Sequence, residues 1–259
     1  MLGTDFRTGS PVWLDLGSPD LDRTAAFYGA VFGWHFASAG PDTGGYGFFQ
    51  QDGATVAAAG RLTEESADPA WVTYFRTDGI RATVDAVTSA GGAVRVEPIT
   101  MGEASMAQLT DPQGAEFAVI QSGTGLQRAS QDNTLVWVEL HVPDPEAALA
   151  FYHRLFGWRA AEMSAPGMTY RVLSVADGDQ QEGAFGGVAP LQEGQEARWV
   201  PYFAVSDADA TVAAVRDNGG TVLMPPSDIP DVGRVAWLTD PAGAVFAVLK
   251  PNPRQAAAR

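Results

Sequence analysis

Two side chains in the second half of the chain have the types and spacing for proton transfer. Glu139 and His141 lie two residues apart in VWVELHV, whose alternation reads as a strand, so both project from one face. A carboxylate so placed raises the imidazole pKa and fixes its tautomer, which makes an acid–base pair. The competing account of His141 is a histidine that is only hydrogen-bonded at a strand end. The two other histidines carry less: His35 follows a helix end and His153 sits on a helix beside Tyr152 and Arg154, both solvent-facing or partly packed. There is no cysteine, which excludes disulfides, thiol chemistry and cysteine-ligated metal. G-x-S-x-G, H-E-x-x-H and P-loop motifs are absent, and no Ser-His-Asp triad can be located. The glycine pairs 91–92 and 219–220 fall between helix and strand, where left-handed turns suit them better than a phosphate cradle.

The elements that must position these residues are written twice. VWLDLGSPDLDRTAAFYGAVFGW (Val12 to Trp34) returns as VWVELHVPDPEAALAFYHRLFGW (Val136 to Trp158), and LTDPQGAEFAV (Leu109 to Val119) returns as LTDPAGAVFAV (Leu238 to Val248). A period this long marks a duplicated domain and not a solenoid. In each copy a strand leads into a helix. Asp20 reads as its N-cap in the first, and Asp144 followed by Pro145 does so in the second. Gly33 and Gly157 end these helices as C-terminal glycines do. A second strand-helix unit opens at WVTYF (Trp71 to Phe75) and at WVPYF (Trp199 to Phe203), with helices expected over 82–90 and 210–218. The expectation is an α+β protein of four βαβββ modules, 11–62 and 70–121 in a domain 1–121, then 135–191 and 198–250 in a domain 135–250. Residues 122–134, rich in Gly, Ser, Gln and Asn, read as the linker, and 251–259 as a tail.

Composition narrows the partners. Sixteen basic against 31 acidic residues give a net charge of −15, which repels phosphate backbones and anionic membranes, so nucleic acid and membrane are excluded as partners. With no run of 18 or more apolar residues and no signal-like N-terminus, a soluble cytoplasmic protein is expected.

The paired signatures, D-x(6)-FY opening the helix and DP-x-G before the last strand, resemble the vicinal-oxygen-chelate superfamily over nearly the whole chain. That group includes glyoxalase I, extradiol dioxygenases, fosfomycin resistance proteins and bleomycin-binding proteins. The closest likeness is to its tandem two-domain members. The resemblance implies two glyoxalase/bleomycin-resistance-like domains whose sheets curl into cups. It also locates the superfamily's metal ligands, at Trp13, Val72 and Ala118 in one half and Trp137, Val200 and Ala247 in the other. None of these side chains can bind a divalent cation, so no metal and no other cofactor is expected.

Read with period two from those positions, the first cup presents Trp13, Asp15 and Gly17, then Val72, Tyr74 and Arg76, then Glu116, Ala118 and Ile120. The second presents Trp137, Glu139 and His141, then Val200, Tyr202 and Ala204, then Val245, Ala247 and Leu249. Asp15, Arg76 and Glu116 are expected to form an internal ion-pair network or to clasp a polar substrate. Trp13, Asp15, Tyr74, Arg76, Glu116, Trp137 and Tyr202 are the candidate ligand-binding residues, and an aromatic small molecule the expected partner. Rings that simply fill the cups are the alternative. The first functional expectation is metal-independent binding of an aromatic or polyketide-like natural product. The second is a cofactor-independent tailoring enzyme, a lyase, isomerase or hydroxylase, using Glu139 and His141; a metal-dependent glyoxalase is third. Because one chain already supplies four modules, a monomer suffices, with a homodimer left open.

Overall fold

The computed structural model describes residues 2–62, 67–121, 123, 125–165, 168–192 and 194–252, and the side chains of these except at 164, 165, 168 and 169. The first half runs β1 (Pro11–Ser18), α1 (Leu21–Phe32), β2 (His35–Ser38), β3 (Gly47–Gln51), β4 (Ala54–Arg61), then β5 (Ala70–Arg76), α2 (Ile80–Ser89), β6 (Ala93–Met101), β7 (Ala104–Thr110) and β8 (Glu116–Gln121). The second half repeats it as β9 (Leu135–Val142), α3 (Pro145–Phe156), β10 (Arg159–Ala165), β11 (Met168–Ser174), β12 (Ala184–Pro190), β13 (Arg198–Ala204), α4 (Ala208–Asp217), β14 (Thr221–Ile229), β15 (Gly233–Thr239) and β16 (Val245–Pro251). These are the four expected βαβββ modules. Each half is one curved eight-stranded sheet, ordered β2-β3-β4-β1-β5-β8-β7-β6 and β10-β11-β12-β9-β13-β16-β15-β14.

The caps act as their residue types dictate. Asp20 accepts the Arg23 amide and Asp144 the Ala147 amide, while Gly33 and Gly157, both at φ 70°, return their N–H groups to Gly29 and His153. The second helix of each half starts two residues earlier than its apolar spacing suggests, because Gly79 and Asp207 serve as N-caps. Among the described residues no helix is long and apolar enough to cross a membrane.

Strand alternation sorts side chains between two environments. Leu14 and Leu16 are fully buried on the helix side of β1, whereas Trp13, Asp15 and Gly17 are half-buried on the cup side. The helix sides of the two sheets meet in one aromatic core: Phe75 packs on Trp158 and Trp199 at 4.9 and 5.0 Å, and Phe203 on Trp34 and Trp71 at 5.3 and 5.6 Å. The repeated signatures are exchanged across this core. Tyr28, from the first FY, donates to Asp240 of the second DP-x-G and accepts from Trp71 Nε1; Tyr152 does the same with Asp111 and Trp199. Residues 125–134 are docked: Leu126 is buried, and the Leu126 and Gln127 amides bond to Val12 and Thr55. Residues 122 and 124 of the linker, and 253–259 of the tail, lie outside the described residues.

Candidate functional site

Each cup is organised around one carboxylate on its central strand. In the first, Asp15 accepts from Trp13 Nε1 (2.9 Å) and from the Tyr46 hydroxyl (2.8 Å), and the Tyr74 hydroxyl sits against the same group. In the second, Glu139 accepts from Tyr170 at 2.5 Å, from Tyr202 at 2.9 Å and pairs with His141 Nε2 at 2.7 Å. Both tyrosines there are themselves held, Tyr170 by Trp137 Nε1 and Tyr202 by Trp237 Nε1, each at 2.9 Å. The indole of Trp237 also meets the His141 ring edge to face, 4.6 Å between centroids.

The two carboxylates are perturbed in opposite directions. Burial pushes Asp15 up, and the hydrogen bonds from Tyr74, Tyr46 and Trp13 only partly offset it. Burial pushes Glu139 up as well, but the bond and charge of His141, with Tyr170 and Tyr202, outweigh it and leave Glu139 below its ordinary value. The cup tyrosines 46, 74, 170 and 202 are all raised, first by burial and then by the facing carboxylate, so they remain donors.

The spacing of Glu139 and His141 is therefore realised as a contact, and it fixes a tautomer question. With Nε2 turned to the carboxylate, Nδ1 of His141 is buried without a partner among the described residues. The expected network of Asp15, Arg76 and Glu116 does not form. Asp15 lies opposite Val72 in the register of β1 and β5, so Arg76 is four residues further along, roughly 13 Å away at strand rise. Glu116 lies at the rim and is ion-paired to Arg95. Trp13, Asp15 and Tyr74 come together as a unit, as do Trp137, Glu139, Tyr202 and His141, whereas Arg76 and Glu116 belong to neither cluster. Tyr46, Tyr170, Gln108 and Trp237 complete the cups and were not among the sequence candidates. Tyr46 and Tyr170 occupy matching positions in the repeat and were legible there; Gln108 and Trp237 differ between halves and sit on the next-to-last strand of each.

The metal positions can be tested against what they hold. Trp13 lies opposite Tyr74, which lies beside Ala118, and Val72 lies opposite Asp15; in the second cup Trp137, Tyr202, Ala247 and Val200 repeat this. Indole, isopropyl and methyl groups offer no donor to a divalent cation, so these residues do not fit the superfamily's metal. Among the described residues no group of three His, Cys, Asp or Glu side chains converges.

Known proteins agree with this architecture. The family model described as Glyoxalase/Bleomycin resistance protein/Dioxygenase superfamily matches residues 10–119 and 134–248. The protein named "Putative glyoxylase CFP32" of Mycobacterium tuberculosis is 39% identical over 262 residues, covering 97% of this chain and 98% of the relative. "Anthracycline biosynthesis protein DnrV" of Streptomyces peucetius is 37% identical over 269 residues, 95% of each. Among solved structures, the Mn(II)-bound glyoxalase from Novosphingobium aromaticivorans superposes with a TM-score of 0.65 at 16% identity, covering 94% of this chain and 82% of that one. The 2,2',3-trihydroxybiphenyl 1,2-dioxygenase of Sphingomonas wittichii RW1 gives 0.65 at 14%, covering 94% and 91%; at such identities the likeness is one of fold. Both halves match one model and the relatives align end to end: the chain belongs to the glyoxalase/bleomycin resistance protein/dioxygenase superfamily.

Proposed function

We propose that this is a metal-independent small-molecule-binding protein that holds an aromatic or polyketide-like natural product in an aromatic-lined cup. The observation that carries the reading is the cradle of indole, carboxylate and tyrosine in each cup, built where the superfamily's metal enzymes keep ligands. Half-buried Trp13, Tyr46 and Phe48 offer ring faces and edges, and the held tyrosines and carboxylate offer hydrogen bonds to a flat ligand. Relatives named for anthracycline biosynthesis support that ligand class, since anthracyclines are flat, fused-ring compounds. The partner is then an aromatic small molecule, met by one chain in the cytoplasm, with no role for nucleic acid or membrane. Native mass spectrometry of the purified protein, with elemental analysis of the same sample, tests this. A metal-free protein carrying a small organic mass is expected, and a stoichiometric transition metal would overturn the metal-independent reading.

A second reading, a cofactor-independent tailoring enzyme, is favoured by the unpartnered Nδ1 of His141. Glu139 holds Nε2–H and would stabilise the imidazolium formed when Nδ1 takes a proton from a substrate. Its test is conversion of a polyketide substrate followed by mass: turnover that survives His141→Ala removes this reading.

A further inference from the structure

The two cups share a plan but not an interior. On the central strands the second cup is filled: Glu139, His141, Val200 and Ala204 are all buried, and Trp237 reaches across from β15 to close over His141 and Tyr202. The equivalent residues of the first cup, Asp15, Gly17, Val72 and Arg76, are all half-buried. Glycine stands there for histidine and Gln108 for Trp237, so two ring systems that plug one cup are missing from the other. At Gly17, among the described residues, the flexible end of Leu62 leans into the freed space, 2.7 Å from where a Cβ would stand, and the Ala70 carbonyl lies at 3.8 Å.

The first cup also holds a cation at a position where the second has a methyl group, the cup-face arginine of the second, Arg198, lying at the other end of β13 opposite His141. Arg76 replaces Ala204, on the face of β5 that carries Tyr74 and beside Ile120 of β8. No side chain or carbonyl among the described residues bonds to its guanidinium, whereas Arg95, at the other end of β8, is paired with Glu116. A half-buried guanidinium offers up to five donors in one plane, a geometry that suits the paired oxygens of a carboxylate or an ionised enol. Between Arg76 and the Asp15 cluster lie Trp13 and Tyr74, over roughly 13 Å of strand, a span that several fused rings would bridge.

We infer that the first cup is the one that takes ligand, and that its ligand is a fused-ring aromatic bearing an acidic oxygen group received by Arg76. This rests on the binding reading above and adds to it the cup, the charge and the specificity-determining residue. The net charge of −15 opposes a small monoanion only weakly at physiological salt, where interactions between exposed charges more than about 8 Å apart are largely screened.

The experiment is calorimetric titration of the whole protein with anthraquinone-2-carboxylate and with its uncharged carboxamide, on wild type, Arg76→Gln and Arg76→Lys. Wild type is expected to bind one carboxylate per chain, about tenfold or more tighter than the amide, a ratio typical of a charge-assisted bond. Arg76→Gln should abolish that preference, bringing the carboxylate down to the affinity of the amide, and Arg76→Lys should restore part of it. Binding that is indifferent to Arg76→Gln, or lost equally for both probes, overturns the inference and leaves the binding reading standing. No heat from either probe on wild type overturns both.

Discussion

Asp15 and Glu139 occupy the same place in the two cups, and their carboxyls are driven in opposite directions. Both are surrounded by tyrosine and tryptophan donors, and burial raises both. The difference that carries the reversal is the residue two positions on, Gly17 in the first cup and His141 in the second. Neutral donors only partly compensate a desolvated carboxylate, whereas an imidazole that also supplies charge reverses the balance. That exchange within a duplicated frame separates a cup with an elevated, half-buried acid from a cup whose carboxylate is sealed against a histidine.

The most severe way to break this comparison is His141→Gly, which copies the first cup into the second. It leaves Glu139 buried without its partner, and a loss of about 3 kcal/mol in urea unfolding at neutral pH is expected. The Glu139 pKa should then move above its ordinary value, readable by carboxyl NMR titration. A variant that unfolds at the wild-type midpoint would show that the pair contributes nothing.

Trp237→Gln is the next step down, giving the second cup the residue of the first. The indole is half-buried, so a loss of about 2 kcal/mol is expected, below the roughly 3–5 kcal/mol for truncating a fully buried ring. Its sharper readout is access. Tyr202 should become reactive toward tetranitromethane in this variant and stay protected in wild type.

A smaller effect separates the cups by pH. The native pKa of Glu139 is lowered, so its contribution is present above the unfolded carboxylate value of about 4 and is lost as pH falls through the native one. Asp15 has the reverse sign. Its native pKa is raised, so its contribution is present below about 4 and is lost as pH rises through the native value. Urea midpoints measured across the acid range should show a flatter acid limb in Glu139→Gln and, in Asp15→Asn, a smaller loss of stability as pH rises above about 4. Equal limbs in both variants would remove the claimed opposition.

The smallest expected effect is at the rims, where Arg95 and Glu116 of the first cup correspond to Leu223 and Val245 of the second. The pair is about two-fifths exposed, so the double change to Leu and Val should alter stability by less than about 1 kcal/mol.

Much of this molecule was legible in its residues. The repeat, the Asp and Pro starts, the glycine stops and the period-two strands yielded four modules, and the spacing of Glu139 and His141 yielded a real contact. The D-x(6)-FY and DP-x-G signatures were legible as motifs but not as partners. That Tyr28 answers Asp240, and Tyr152 answers Asp111, depends on two halves packing back to back.

The sequence by itself determined the modules, the side each strand residue faces and the absence of metal donors at the superfamily's positions, because these follow from local periodicity and residue chemistry. Only the tertiary structure decided which polar groups meet. Asp15, Arg76 and Glu116 share one face, yet register sets Arg76 four residues beyond Asp15, and the edge strand brings Arg95 to Glu116 first. Likewise Trp237 lies three strands from His141 in the sheet order, and only the curl of the sheet lays one ring against the other. Facing is a local property of a strand, whereas partner choice depends on register and curvature accumulated over the whole sheet.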